Sequence, residues 1–113
     1  MPWPANSPID FSAVGDNVVV TAGHPTHRVK VWRIFFIVSA ATTVTIKDGA
    51  GISLSGPMAM LANGSLVFDM IPGTRNTDVP WFRTSPGNAF IINQTAGAQV
   101  SGTVYFSTGA SID

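Results

Sequence analysis

Residues 29–38, Val-Lys-Val-Trp-Arg-Ile-Phe-Phe-Ile-Val, are the most apolar run in the chain, β-branched and aromatic where a helix would draw on Leu and Ala. That composition predicts a strand. Lys30 and Arg33 interrupt its first part, but from Ile34 to Val38 no polar residue alternates with the apolar ones. A strand without alternation is one covered on both faces. A domain of 113 residues has one core, and that core covers one face. The other face is left to a partner, a second layer or the chain's own loops.

The rest of the chain reads as further short strands between turns. Eleven Gly and eight Pro are scattered as punctuation, and no long window keeps a helical period free of them. Residues 1–8, with Pro2, Pro4 and Pro8, read as an extended arm outside any central ladder. Trp3 on that arm needs a place to bury its ring, on its own domain or on a neighbour. Alternation predicts strands at residues 9–13, 17–22 and 42–47, the last with Val44 and Ile46 inward and Thr43, Thr45 and Lys47 outward. Residues 57–61 read as a strand rather than a helical turn, because Asn63-Gly64 follows and predicts a hairpin to residues 66–70. The longest loop falls at residues 71–79. In 80–84, Trp81 and Phe82 are neighbours on a strand, so one ring enters the core and the other does not. Ser85-Pro86-Gly87-Asn88 has the type II turn pattern. Residues 89–94 and 99–108 follow as strands, and Gly102 inside the last predicts a bulge or a close backbone approach.

This amounts to about eight to ten short strands, and the best-fitting architecture is an all-β, antiparallel two-sheet β-sandwich of jelly-roll type. The sandwich is expected over residues 9–108, with a frayed tail at 109–113.

Charge narrows the function. Only 11% of residues are charged, Glu is absent and the net charge is zero, against about 25% charged in an ordinary domain. A near-neutral Ser/Thr/Asn/Gly surface suits a protein packed in an assembly, or a stable extracellular-type β domain. It lacks the basic face that nucleic acid demands. No run approaches a membrane span, and Met1-Pro2-Trp3-Pro4 lacks the pattern of a secretory signal. A soluble product made in a cytoplasm is the expectation.

Chemistry finds little footing. With no Cys there is no disulfide and no thiolate metal site. His24 and His27 are three apart in a loop, but a metal centre needs further ligands, so a solvated loop is the simpler reading. Of the six Asp residues, Asp16, Asp48 and Asp78 sit beside turn residues, where Asp serves the backbone. No pair of carboxylates and no nucleophile triad is marked, and neither an enzyme nor a cofactor is expected. Trp3, Trp81, Phe82 and Tyr105 offer stacking faces that a sugar ring would use. Association accounts for more: the two-faced strand, the low charge, the Trp-bearing arm and the unmatched ring of Trp81/Phe82 all ask for a partner surface.

Several segments carry a resemblance. The strand at 42–48 leads into Gly49-Ala50-Gly51, and then come Leu54-Ser55-Gly56-Pro57, Asn63-Gly64-Ser65-Leu66-Val67-Phe68 and Pro80-Trp81-Phe82-Arg83-Thr84. Gly87-Asn88-Ala89-Phe90-Ile91-Ile92-Asn93 and Val100-Ser101-Gly102-Thr103-Val104-Tyr105 complete the series. In their order of turns and aromatic positions they resemble small β proteins of tailed bacteriophages, over residues 30–107. The resemblance implies a jelly-roll capsid decoration (cement) protein, a homotrimer bound to the major capsid protein on the outside of the virion. Related domains in phage fibres and receptor-binding parts imply the alternative, a module that recognises a host-surface glycan, here through the loop at 71–79 and the aromatics. Trp3 on the arm, Ile9 and Phe11 on an edge strand, and the pair Trp81/Phe82 are the expected subunit or capsid contacts. No contact with nucleic acid or membrane is expected.

Overall fold

The computed structural model describes residues 5–69 and 80–110, and those residues contain ten strands and no helix. They are β1 (Ala5–Phe11), β2 (Gly15–Val20), β3 (His27–Val38), β4 (Thr42–Asp48), β5 (Ile52–Ser53), β6 (Met58–Met60), β7 (Ser65–Asp69), β8 (Phe82–Arg83), β9 (Phe90–Gln94) and β10 (Val100–Ala110). One antiparallel sheet has the order β1-β10-β3-β7, with β8 also on β3; the other has the order β2-β9-β4-β5, with β6 also on β4. The pairs β5/β6 and β7/β8 each act as one broken edge strand. Counted so, eight strands wind between two sheets as a jelly roll.

Burial follows the alternation. In β4, Val44 and Ile46 are buried and Thr43, Thr45 and Lys47 lie outward. Phe90 and Ile92 of β9 and Val100 and Val104 of β10 meet them and Val29, Val31, Ile34, Phe36 and Val38 of β3 in one core between the sheets. The inward set on β3 changes parity between Val31 and Ile34. The cause is a bulge: Arg33 lies opposite Tyr105 and Val31 opposite Phe106, which leaves Trp32 as the extra residue. Trp32 is buried outside the inter-sheet cluster, and its Nε1 donates to Ser107 Oγ at 3.0 Å. The bulge also explains how Lys30 and Arg33, three apart, both avoid the core. Beyond it, the run that read as two-faced alternates after all. Ile34, Phe36 and Val38 are buried, while Phe35 and Ile37 stay exposed.

Two expectations change at the edges. β1 starts at Ala5, so the second half of the expected arm belongs to the sheet, and β10 runs on to Ala110. Pro8 is tolerated because β1 is an edge strand, where a missing donor need not break a ladder. The Asn63-Gly64 turn does not join a hairpin. β6 pairs with β4 and β7 with β3, so the turn carries the chain from one sheet to the other. Asn63 has φ 65° and the Gly64 N–H donates to the Leu61 carbonyl at 2.8 Å. Asn supplies left-handed backbone to any tight turn; the flanking apolar rows decide which sheet each strand joins. At residues 85–88 the expected turn forms, with Gly87 at φ 82° and the Asn88 N–H on the Ser85 carbonyl at 3.0 Å.

Candidate interaction surface

The register of β1, β10, β3 and β7 determines which side chains share the outer face of their sheet, since alternate residues point the same way. Its central row is Pro8, Thr103, Phe35 and Val67. On one side lie Asp10, Ser101, Ile37 and Ser65, and on the other Asn6, Tyr105, Arg33 and Asp69. Phe35 is 43% exposed, Ile37 38% and Val67 59%, so the middle of the face is apolar and open. Polar groups frame it. Arg33 Nε meets Asp69 Oδ1 at 2.6 Å across β3 and β7, and Gln99 Nε2 donates to Asp10 Oδ1 at 2.7 Å at the far corner. A half-open cleft of about 250 Å³ lies between Asn6, Arg33, Phe35, Val67, Asp69 and Tyr105.

A line of rings reaches this sheet's edge from the core. Phe90 lies 5.9 Å from Phe82, Phe82 5.4 Å from Phe68, and Phe68 4.9 Å from Trp81, centroid to centroid. Phe82 packs on the core and Trp81 remains 44% exposed, as the neighbour rule requires. Of the other expected contacts, Ile9 is buried in this chain's own core and Phe11 packs against it. The edge position of β1 is as expected, but strand parity turns those two side chains inward. The outward residues of β1 are Asn6, Pro8 and Asp10. Trp3 and the loop at 71–79 lie outside the described residues. Sequence reading missed Val67 as a member of an outer face, though the alternation of Leu66, Val67 and Phe68 carried the signal, whereas Tyr105 was expected as an open stacking face and lies on it.

The opposite sheet's outer face sets exposed Val18 beside a polar cluster. Asp16 accepts from Asn93 Nδ2 at 2.8 Å and from Lys47 Nζ at 3.0 Å. Those bonds, with the Lys47 charge, outweigh a slight desolvation and hold its carboxyl below the usual value. At one end of the sandwich Asp48 is buried. Burial opposes its charge, but Ser85 Oγ (2.7 Å), the Ser85 N–H (2.9 Å) and Asn88 Nδ2 (3.0 Å) all donate to it, and Arg28 adds its charge, so this carboxyl too is held low. It ties the turn at 85–88 to β4. His24 and His27 lie near that end with centroids 4.8 Å apart, and His24 Nδ1 accepts from the Thr26 N–H at 3.2 Å. Among the described residues no three His, Cys, Asp or Glu side chains gather where a metal ion would sit.

Comparison with protein-family models, curated proteins and solved structures returns no match.

Proposed function

We propose that this chain is a structural assembly protein, a jelly roll that packs on sister copies as a homotrimer and decorates the outer face of a phage capsid. One observation carries the reading: Phe35, Ile37 and Val67 form an open apolar centre on a sheet face, rimmed by polar side chains. An open apolar face on a chain with zero net charge is a liability in a monomer and is most economically hidden by symmetric self-association. Jelly rolls serve viral capsids and lectins alike, so the fold does not choose between those roles. The capsid location and the major capsid protein as second partner come from the resemblance described above. The mechanism is passive: bridging neighbouring shell subunits adds interface free energy and raises the barrier to rupture.

Light scattering tests the reading. The chain is expected at three times 11.9 kDa, and Phe35→Asp is expected to yield a folded monomer. A wild-type chain that stays monomeric at micromolar concentration would overturn it.

The exposed indole of Trp81 and the cleft beside Tyr105, Asn6 and the Arg33–Asp69 pair favour a second reading, a glycan-binding module. Saturable binding on a glycan array, lost in Trp81→Ala or Tyr105→Ala, would promote it over the first.

A further inference from the structure

An Asp or Asn followed by Gly can react with its own backbone, because glycine has no side chain to shield the next backbone nitrogen. The chain has two such pairs, Asp48-Gly49 and Asn63-Gly64. The fold treats them in opposite ways. Asp48 is buried with its carboxylate held by Ser85 and Asn88, and the Gly49 N–H donates to the Ala89 carbonyl at 2.9 Å. Asn63 is exposed, among exposed Leu61, Ala62 and Ser65. Its φ of 65° makes it the left-handed corner of the turn at 61–64, which the Gly64 N–H closes on the Leu61 carbonyl at 2.8 Å. A Cβ at position 64 would lie 2.8 Å from that same carbonyl oxygen, so the turn itself requires glycine there. The other described asparagines are held. Asn17 donates to the Ala13 carbonyl, Asn88 to Asp48 and Asn93 to Asp16, and Asn6 lies in the β1 ladder.

We propose that Asn63-Gly64 is a site of spontaneous covalent modification, where asparagine converts to aspartate and isoaspartate in the folded protein. The Gly64 nitrogen gives its proton to hydroxide and attacks Asn63 Cγ. The N–Cγ bond forms as the Cγ–Nδ2 bond breaks, and Nδ2 leaves as ammonia with a proton from water, which regenerates the hydroxide. Water then opens the five-membered imide. Breaking the new N–Cγ bond restores the main chain and leaves aspartate; breaking the original N–C bond leaves isoaspartate, whose main chain runs through Cβ and Cγ. Water is the only co-reactant. Attack requires the Gly64–Leu61 bond to open, and an exposed turn opens more readily than the ladders around it. The two products differ in consequence. The turn is pinned to β3 by the Asn63 N–H on the Val38 carbonyl at 2.8 Å and the Val38 N–H on the Gly64 carbonyl at 3.0 Å. Aspartate tolerates the left-handed corner and keeps both bonds. Isoaspartate lengthens the main chain between them and loosens the start of β7.

The test incubates the folded chain in mildly alkaline buffer and follows peptide 48–75, released by cleavage after Lys47 and Arg75, in which Asn63 is the only amide side chain. Its amide-to-acid mass change is expected about tenfold sooner than in the peptides carrying Asn6, Asn17, Asn88 and Asn93, with isoaspartate at position 63 and none at Asp48. Asn63→Gly fits the left-handed corner and is expected to abolish the change while staying folded. A urea-unfolded sample supplies the rate free of the turn. An Asn63 still intact in the folded chain when the unfolded sample has converted, or another asparagine converting first, overturns the assignment. The isoaspartate fraction is expected to melt below the Asn63→Asp variant; equal Tm values overturn the loosening of β7.

Discussion

Gly102 shows how a single position can be decided by backbone contact. It lies in β10 between Ile9 of β1 and Phe36 of β3, and a Cβ there would be driven into the Phe35 carbonyl oxygen and the Phe36 Cα. The obstacle is backbone, which cannot swing aside as a side-chain tip can. Gly102→Ala is expected to cost about 3 kcal/mol or more, read as a fall in the denaturation midpoint; a neutral result would mean that the two strands separate easily. Asp48 is decided by hydrogen bonds. Its carboxyl titrates lower in the folded chain than in the unfolded one, where it sits at about 3.9. The unfolded state therefore binds the proton more readily, and the stabilisation is complete above about pH 5 and is lost as pH falls through the folded value, below about 4. Asp48→Asn turns an acceptor toward three donors into a partial donor. It is expected to cost about 1–3 kcal/mol at neutral pH and to flatten the acid limb of a stability–pH curve. An acid limb identical to wild type would show that other carboxylates set it.

At the scale of elements, the bulge in β3 carries the outer face. A slip of one residue moves every side chain of a strand to the other face. Trp32 absorbs such a slip once, which keeps Val29 and Val31 in the core together with Ile34, Phe36 and Val38. Deleting Trp32 removes the one unpaired residue, so the ladder is expected to close without a bulge, with Val29, Val31, Ile34 and Phe36 still inward and Phe35 and Ile37 still outward. The deletion variant is expected to unfold cooperatively but at a lower midpoint, for want of the buried Trp32 ring and its Ser107 bond; loss of cooperative unfolding would show that the bulge does more than set the parity. Trp32→Phe keeps the count, and is expected to fold with a loss of about 2 kcal/mol from the Ser107 bond and the smaller ring.

For the whole molecule, self-association couples stability to concentration. A protein that buries its open face against sister copies gains stability by mass action. Its Tm is expected to rise with protein concentration, and the rise is expected to vanish in Phe35→Asp. A concentration-independent Tm in the wild-type chain would count against a sheet-face interface, whatever else the protein binds.

How far the amino-acid order reaches can be judged from particular residues. β4 and β9 were legible because a side-chain period of two is a local property, and Val44, Ile46, Phe90 and Ile92 obey it without help from elsewhere. The turn at 85–88 was legible because Pro and Gly restrict the backbone by their own chemistry. Ile9 and Phe11 read as contacts in the sequence, whereas Ile9 lies in this chain's own core and Phe11 packs on it, because an apolar row on an edge strand looks the same whether it meets a core or a partner. The Asn63-Gly64 turn was found and its partners were not, since a turn limits only the few residues in it. The all-β class, the strands and the excess of apolar surface were thus determined by the sequence alone, through short-range sterics and alternation. Tertiary structure alone decided where that excess lies, on the row through Phe35 and Val67, because the bulge at Trp32 and the pairing of four distant strands depend on contacts between residues far apart in the chain.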